Sequence, residues 1–209
     1  KNKLYKPWHN KEKIYLFLNR DYYTDDLLER FNKYKLDLYN IKNYFPGKYA
    51  QLIHSKTSGF SINNIVISNY TNFGWGLFSE YLLIKEGYGD ENNNIYMLIH
   101  LQNVLDSAIK NMIFYSYYIN KKSKDQILED VYTLTLYKKD RINKMLLDMI
   151  NGPAKPDLEL IGYFELKSIY NRFTKENSSK HRLEFYSILL ASAHLSPFLI
   201  KQNRFSQYE

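Results

Sequence analysis

Apolar residues recur at intervals of three and four positions along most of the chain, which is the period of a helix with one buried face. This pattern predicts helices over about 25–39, 46–54, 74–86, 94–119, 124–150, 157–174 and 181–193, with a last short helix that begins at Pro197. Short turns join these segments. We therefore expect one all-α domain of about seven to eight helices that covers residues 1–209.

Local sequence signals predict several helix ends. Ser123 with Gln126 three residues later is a capping-box pattern, which predicts that a helix begins at Lys124. This region extends to about residue 150 and has room for a break. Pro46 suits the first turn of a helix, where the missing N–H has no helical partner in any case. The Asn-Gly-Pro run at 151–153 is a strong stop signal.

The helix over 94–119 is the longest predicted element. Leu98, Leu101 and Leu105 belong to an apolar stripe that continues to Ile113, so we expect this helix to be nearly buried. The segment 55–71 contains a glycine and several asparagines, which predicts a loop with at most one short strand.

The composition excludes several classes of protein. The chain has no cysteine, which rules out a disulfide scaffold, a thiolate zinc site and a cysteine nucleophile. The net charge of +7 comes mostly from lysines spread along the chain, whereas proteins that bind nucleic acid usually concentrate arginines on one face. We therefore do not expect a nucleic acid partner. Apolar stretches such as 112–119 are too short to span a membrane, so we expect no transmembrane segment.

Residue types and their spacing alone indicate no catalytic site. No two of the five histidines have the four-residue spacing that places two imidazoles on one helix face. His54 and His100 lie in apolar helical stretches, where we interpret them as hydrogen-bonded packing residues. Glu80 and Glu86 are six positions apart and do not share a helix face. The sequence also lacks a glycine-rich phosphate loop and a Gly-x-Ser-x-Gly motif.

Two motifs nevertheless resemble a known family. The run Phe-Pro-Gly at 45–47, with Gln51 four positions after its glycine, is followed by Gly-Trp-Gly-Leu-Phe-Ser-Glu at 74–80. Together they resemble the bacterial family called domain of unknown function 885, whose members look like zinc-dependent hydrolases. That family has the patterns His-Glu-x-x-Pro-Gly-His-x-x-Gln and Glu-Gly-Trp-Ala-x-Tyr-x-Glu. The likeness extends from about Ile14 to Lys201.

The resemblance implies a metallopeptidase-like fold in which this chain is the C-terminal half. A further N-terminal helical part would then be missing, cleaved or carried by another chain. Gly162 follows Pro153 by nine positions, as in the family. The positions that the resemblance implies are retained for structural reasons are Pro46, Gly47, Gln51, Gly74, Trp75, Gly162 and Pro197.

The resemblance also implies that the metal site has been lost. Lys42 and Lys48 stand where the family has two histidines, and Phe73 stands where it has a glutamate. A zinc ligand must offer a lone pair, which an ammonium group and a phenyl ring lack. Asn43 stands at the position of the catalytic glutamate, and an amide cannot accept a proton from a metal-bound water. Two ammonium groups would also repel a divalent cation.

Other polar positions of the family are replaced as well. In our alignment the replacements are Lys110, Phe114 and Tyr118 in the long helix, Asp148 near the Pro block, Glu159, and Tyr186 in the closing segment. Glu80 is the main surviving polar residue. We interpret it as a buried carboxylate paired with a lysine, either Lys42 or Lys48.

These observations predict a catalytically inactive, metallopeptidase-like pseudoenzyme that holds no cofactor and acts as a structural or scaffold subunit. Its partner would be another protein or the missing N-terminal part of the same protein. Two alternatives stay open: an active hydrolase with ligands such as His54, His100 and Glu80, and a basic module that binds nucleic acid or an anionic membrane surface. The compartment is also left open, between the cytoplasm and the cell envelope, including a lipoprotein.

Overall fold

The computed structural model describes residues 8–10, 13–15, 32–57, 68–153, 155–176, 182–192 and 195–204. In this part of the chain the α-helices are α1 Lys33–Asn43, α2 Lys48–Thr57, α3 Asn69–Lys85, α4 Asn93–Phe114, α5 Lys124–Leu134, α6 Lys139–Asn151, α7 Leu158–Glu176, α8 Arg182–Ala191 and α9 Pro197–Arg204. A 3-10 turn precedes α4, and a π-helical turn at Tyr115–Ile119 follows it. The predicted all-α class is confirmed.

A small β-hairpin near the N-terminus accompanies the helices. Strand β1 (Trp8–Asn10) pairs antiparallel with β2 (Lys13–Tyr15). The sequence pattern did not predict it, because strands of three residues are too short to show a two-residue alternation. The first part of the helix predicted over 25–39, and most of the loop predicted over 55–71, lie outside the described residues.

The helix ends follow local hydrogen bonds. The Ser123–Gln126 capping box is present, and α6 ends at Asn151 as the Asn-Gly-Pro run predicts. The region predicted as 124–150 is divided into α5 and α6 near Thr135. The Thr135 hydroxyl donates to the carbonyl of Val131 and accepts from a later backbone N–H, so its side chain competes with the helical ladder.

The prediction that Pro46 lies in the first turn of a helix is wrong. Residues 44–47 form the bend between α1 and α2, and α2 begins only at Lys48. A Cβ at Gly47 would collide with the carbonyl oxygens of Lys42 and Ile41, so the bend requires a residue without a side chain. Trp75 Nε1 donates to the Pro46 carbonyl at 2.9 Å, which joins the two motifs of the family resemblance.

Helices α3 and α7 cross at two glycines and form the centre of the molecule. A Cβ at Gly74 would collide with the backbone of Gly162, and a Cβ at Gly162 would collide with the carbonyl of Tyr70. The close crossing buries α3 on almost every side. The main core surrounds this crossing and includes Trp75, Leu77, Phe78, Tyr163, Leu166, Phe185 and Leu189.

The expectation that α4 is nearly buried is wrong for its first half. Leu98, Leu101 and Leu105 are 68%, 53% and 40% exposed. Helix α4 directs a different face, with Ile99 and His100, into the core. Its second half is covered because α5 and α6 pack there in a separate apolar cluster. As predicted, none of the described helices is long and apolar enough to cross a membrane.

Candidate functional site

Three charged side chains from separate parts of the chain meet beside α3. Lys42 Nζ, near the end of α1, lies 2.6 Å from Glu159 Oε2. Lys48 Nζ, at the start of α2, lies 2.8 Å from Glu159 Oε1. The three side chains are only 12% to 23% exposed. Each carboxylate oxygen therefore accepts one charge-assisted hydrogen bond, and we call this group the Lys–Glu–Lys cluster.

Lys42 and Glu159 favour each other's charged form. Burial alone would lower the pKa of Lys42, but the carboxylates of Glu159 and Glu80 outweigh burial, and the pKa is raised above its usual value. Burial alone would raise the pKa of Glu159, but the ammonium groups of Lys42 and Lys48 outweigh it, and the pKa is lowered. At neutral pH the cluster therefore contains two ammonium groups and one carboxylate.

The lysine stems lie against α3. A Cβ at Gly76 would come within 2.8 Å of Lys48 Cε and 3.0 Å of Lys42 Cγ, so this glycine leaves room for both side chains. The Lys48 ammonium group is 5.5 Å from the centre of the Phe73 ring. Three of the positions predicted to mark the former metal site, Lys42, Lys48 and Phe73, are thus brought together.

Asn43 does not join the cluster. Its side-chain amide donates a 2.9 Å hydrogen bond to the carbonyl of Tyr39, one turn earlier in α1. The family resemblance assigns Asn43 to the former site, but its side chain is hydrogen-bonded within its own helix.

The predicted lysine partner of Glu80 is a histidine in the structure. His100 Nδ1 lies 2.9 Å from Glu80 Oε2, and both side chains are fully buried. Asn103 Nδ2 donates to both Glu80 oxygens at 3.3 Å. The Glu80 carboxylate helps to raise the pKa of Lys42, but the hydrogen bond of the Lys42 ammonium group goes to Glu159. The interpretation of His100 as a hydrogen-bonded packing residue is confirmed.

The buried pair continues into a longer chain of hydrogen bonds. His100 Nε2 lies 3.2 Å from Tyr163 Oη, and Lys167 Nζ donates to the same Oη at 3.0 Å. Burial, with Tyr81 and Glu80 nearby, raises the pKa of Tyr163, so its hydroxyl keeps its proton. A carboxylate only accepts, so Nδ1 carries a proton and Nε2 can accept from Tyr163. The donors therefore all point from Lys167 towards Glu80.

These two groups do not fit a zinc ion. Zinc requires lone pairs from several nitrogen, oxygen or sulfur atoms, and the Lys–Glu–Lys cluster offers one carboxylate whose oxygens are both engaged. Among the described residues no group of three His, Asp or Glu side chains is arranged to hold a metal. His54, named in the alternative ligand set, is a half-buried residue of α2.

A cleft of about 380 Å³ lies next to the cluster. Phe73, Lys110, Asp148 and Glu159, which the family alignment selected from separate segments, all line it. Phe114, Tyr118 and Tyr186 do not: Phe114 packs on Tyr118 with ring centres 5.2 Å apart, and Tyr186 contacts Phe185 in the main core.

The sequence reasoning missed two residues that shape this cleft. Asp157 accepts from the backbone N–H of Glu159 at 3.0 Å, and its own backbone exchanges two hydrogen bonds with the Asn111 side chain. Asp157 therefore fixes the start of α7 and the position of Glu159. An aspartate directly before a helical apolar pattern is a capping signal that was available in the sequence. Lys155, the other missed residue, had no such signal.

Comparisons with known proteins give a fold but no family. No protein-family model matches the chain, and no curated protein matches it. A solved structure of a candidate lipoprotein of unknown function from Shewanella oneidensis is similar, with a TM-score of 0.76 and 16% sequence identity. The match covers 96% of this chain but only 38% of that protein. At this identity the likeness shows the fold alone.

Proposed function

We propose that this chain is a catalytically inactive, metallopeptidase-like domain that serves as a structural subunit of a protein complex. The Lys–Glu–Lys cluster carries the proposal. The family resemblance places two metal-binding histidines at positions 42 and 48, and the side chains at these positions reach one common carboxylate. The arrangement is what remains when the ligands of a cation are replaced by cations that belong to the protein itself.

The cluster also opposes metal binding actively. A divalent ion would have to displace two ammonium groups from Glu159 and then remain beside them, a repulsion that partial burial strengthens. The amide of Asn43 cannot act as a general base. The same three changes therefore remove the ligands, the favourable potential and the base.

A zinc titration of the purified chain, with a competing chelator and a general peptidase assay, tests the inactive state. We expect no zinc binding at micromolar zinc and no peptide hydrolysis. The matched control is the double variant Lys42→His/Lys48→His, which restores two imidazoles beside Glu159 and is expected to gain zinc binding.

The two measurements test separate claims: that the chain is inactive, and that positions 42 and 48 face one former metal site. Stoichiometric zinc and hydrolysis in the unchanged chain would show that the domain is an enzyme. Failure of the double-histidine variant to bind zinc, while it stays folded, would show that positions 42 and 48 do not face one metal-sized space.

The subunit role is supported by the exposed stripe of α4, which consists of Ile95, Leu98, Leu101 and Leu105. The stripe continues the helix face that the α5–α6 hairpin covers further along. We propose that a helical segment of a partner protein covers the first half in the same way, because ridges of one helix pack into grooves of another. In the similar solved protein 62% of the chain lies outside the match, so there this fold is part of a longer chain.

Affinity purification of the tagged chain from its own host, with reciprocal tagging of the partner that is identified, tests this surface. Leu101→Glu is expected to abolish a reciprocal interaction, because it places a charge in the stripe. Leu136→Glu is the matched control, since Leu136 is fully exposed elsewhere, between α5 and α6. Equal recovery of the partner by both variants would contradict the assignment of the stripe.

A further inference from the structure

The cleft beside the Lys–Glu–Lys cluster has an apolar interior. It lies between α4, α6 and the segment that leads into α7, and Phe73, Met145, Met149, Pro156 and Leu158 form much of its wall. Its volume of about 380 Å³ is within the usual range of small-molecule sites. A ligand with an apolar body would therefore find a suitable surface there.

Some polar groups of the cleft are already hydrogen-bonded within the protein, and others are not. Glu159 is saturated by its two lysines, and Asp157 is used in fixing the start of α7. Lys155 lines the cleft with its ammonium group 6.0 Å from the Phe73 ring centre, and it forms no ion pair with the described residues. Lys110 is 46% exposed and contacts Asp157 only at 3.4 Å. Two ammonium groups thus keep donors available to a ligand.

The charge balance favours an anion of single charge. The cleft and the adjoining cluster together contain four ammonium groups, Lys42, Lys48, Lys110 and Lys155, against the three carboxylates Asp148, Asp157 and Glu159. One negative charge would neutralise the region. A second would face Asp148, which forms no ion pair with the part of the chain that the structure describes.

We propose that this cleft binds a small amphipathic monocarboxylate. Its carboxylate would accept hydrogen bonds from Lys155 and Lys110, and its apolar body would lie against Phe73 and Met149. The inference goes beyond the proposed structural role and does not depend on it, because it concerns binding without any bond being broken.

An NMR titration of the ¹⁵N-labelled chain with octanoate tests the inference, and octylamine serves as the ligand of opposite charge. We expect saturable binding of octanoate at roughly millimolar affinity or tighter, given its ten or so non-hydrogen atoms. The shifted amide signals should be concentrated in residues 145–159, which supply most of the lining. Octylamine is expected to bind about tenfold more weakly or not at all.

Single variants then distinguish binding through the lysine charge from nonspecific hydrophobic binding of octanoate. Lys155→Gln should weaken octanoate binding about five- to tenfold, since a charge-assisted hydrogen bond is lost. Asp148→Asn should strengthen it about twofold, since a like charge is removed. Lys144→Gln, which changes an exposed lysine of α6 outside the cleft lining, should leave it unchanged.

Three results would overturn the inference: no saturable octanoate binding up to about 10 mM, equal affinity for octanoate and octylamine, or equal affinity of the Lys155→Gln and Lys144→Gln variants. None of them bears on the inactive state, because octanoate has no hydrolysable bond and the zinc titration is a separate measurement. Conversely, detection of zinc would leave the octanoate result unchanged.

Discussion

Lys42 and Glu159 lie 117 positions apart in the sequence and form a 2.6 Å ion pair that connects the end of α1 to the first turn of α7. Lys48, at the start of α2, donates to the other Glu159 oxygen and completes the cluster. Three helices are therefore held at one carboxylate. The cluster is a structural contact in its own right, and the proposed loss of a cation site depends on it.

The first prediction concerns the stability of the cluster. Glu159→Gln leaves two largely buried ammonium groups without the carboxylate that they share, and we expect the free energy of unfolding to fall by about 2–4 kcal/mol. Chemical denaturation at neutral pH measures this change. Glu129→Gln is the matched control, because it breaks the 2.7 Å pair with Lys139 at the exposed surface, where solvent screens the charges, and it should leave the unfolding free energy almost unchanged. Equal costs for the two variants would contradict the account.

The second prediction is that the stabilisation from the cluster is lost both at low pH, through Glu159, and at high pH, through Lys42. The folded pKa of Glu159 lies below its unfolded value, so the stabilisation is complete above about pH 4.3 and is lost as the pH falls through the folded pKa. The folded pKa of Lys42 lies above its unfolded value, so its contribution is complete below about pH 10.4 and is lost as the pH rises through the folded pKa.

Denaturation curves recorded across these pH ranges test the assignment when the unchanged chain and Glu159→Gln are compared. The difference in unfolding free energy between the two proteins should be constant near neutrality and should shrink in acid. A difference that stays constant down to pH 2 would show that the Glu159 carboxylate is not the titrating group.

The third prediction concerns the crossing of α3 and α7. Gly162→Ala places a methyl group against the carbonyl of Tyr70, so the two helices must separate. We expect a loss of about 2–3 kcal/mol in unfolding free energy, as is usual for overpacking of a close contact. Gly87→Ala is the control: its Cβ would meet no atom within 4 Å, and only its φ of 94° opposes the substitution, at a cost of about 1 kcal/mol. Thermal or chemical unfolding of both variants ranks the two costs.

The fourth prediction concerns the buried chain of hydrogen bonds. His100→Ala removes the imidazole donor and leaves the buried Glu80 carboxylate with only the Asn103 amide as its direct donor, and we expect a loss of about 3 kcal/mol. The double variant Glu80→Gln/His100→Ala removes the poorly hydrogen-bonded carboxylate and should recover part of that loss. If the single and double variants were equally unstable, the buried carboxylate would not be the cause.

The sequence predicted the regular parts of the fold well because their signals are local. The capping box at Ser123 and the stop after Asn151 depend on residues within one turn, and the structure has both. The Pro46 prediction failed because a proline suits a bend as well as a first helical turn, and the close approach of Gly47 to α1 decides between them.

Long-range relationships were predicted less well. The exposed side of α4 could not be recognised, since an apolar stripe looks the same in the sequence whether or not another helix covers it. The partner of Glu80 was assigned wrongly, because pairing of a buried carboxylate depends on which helices meet; Lys42 was nearby but already bonded to Glu159. The family resemblance, and not the spacing, placed Lys42, Asn43, Lys48, Phe73 and Glu80 at one former site. The structure brings Lys42, Lys48 and Phe73 together, whereas Asn43 and Glu80 have other partners.

The most direct test of the central claim is the metal content of the chain purified, without chelators, from cells grown with added zinc. Plasma mass spectrometry should find less than about one zinc per ten chains, because the cluster offers ammonium groups where ligands are needed. One tightly held zinc per chain, retained through dialysis and accompanied by peptide cleavage, would contradict the account.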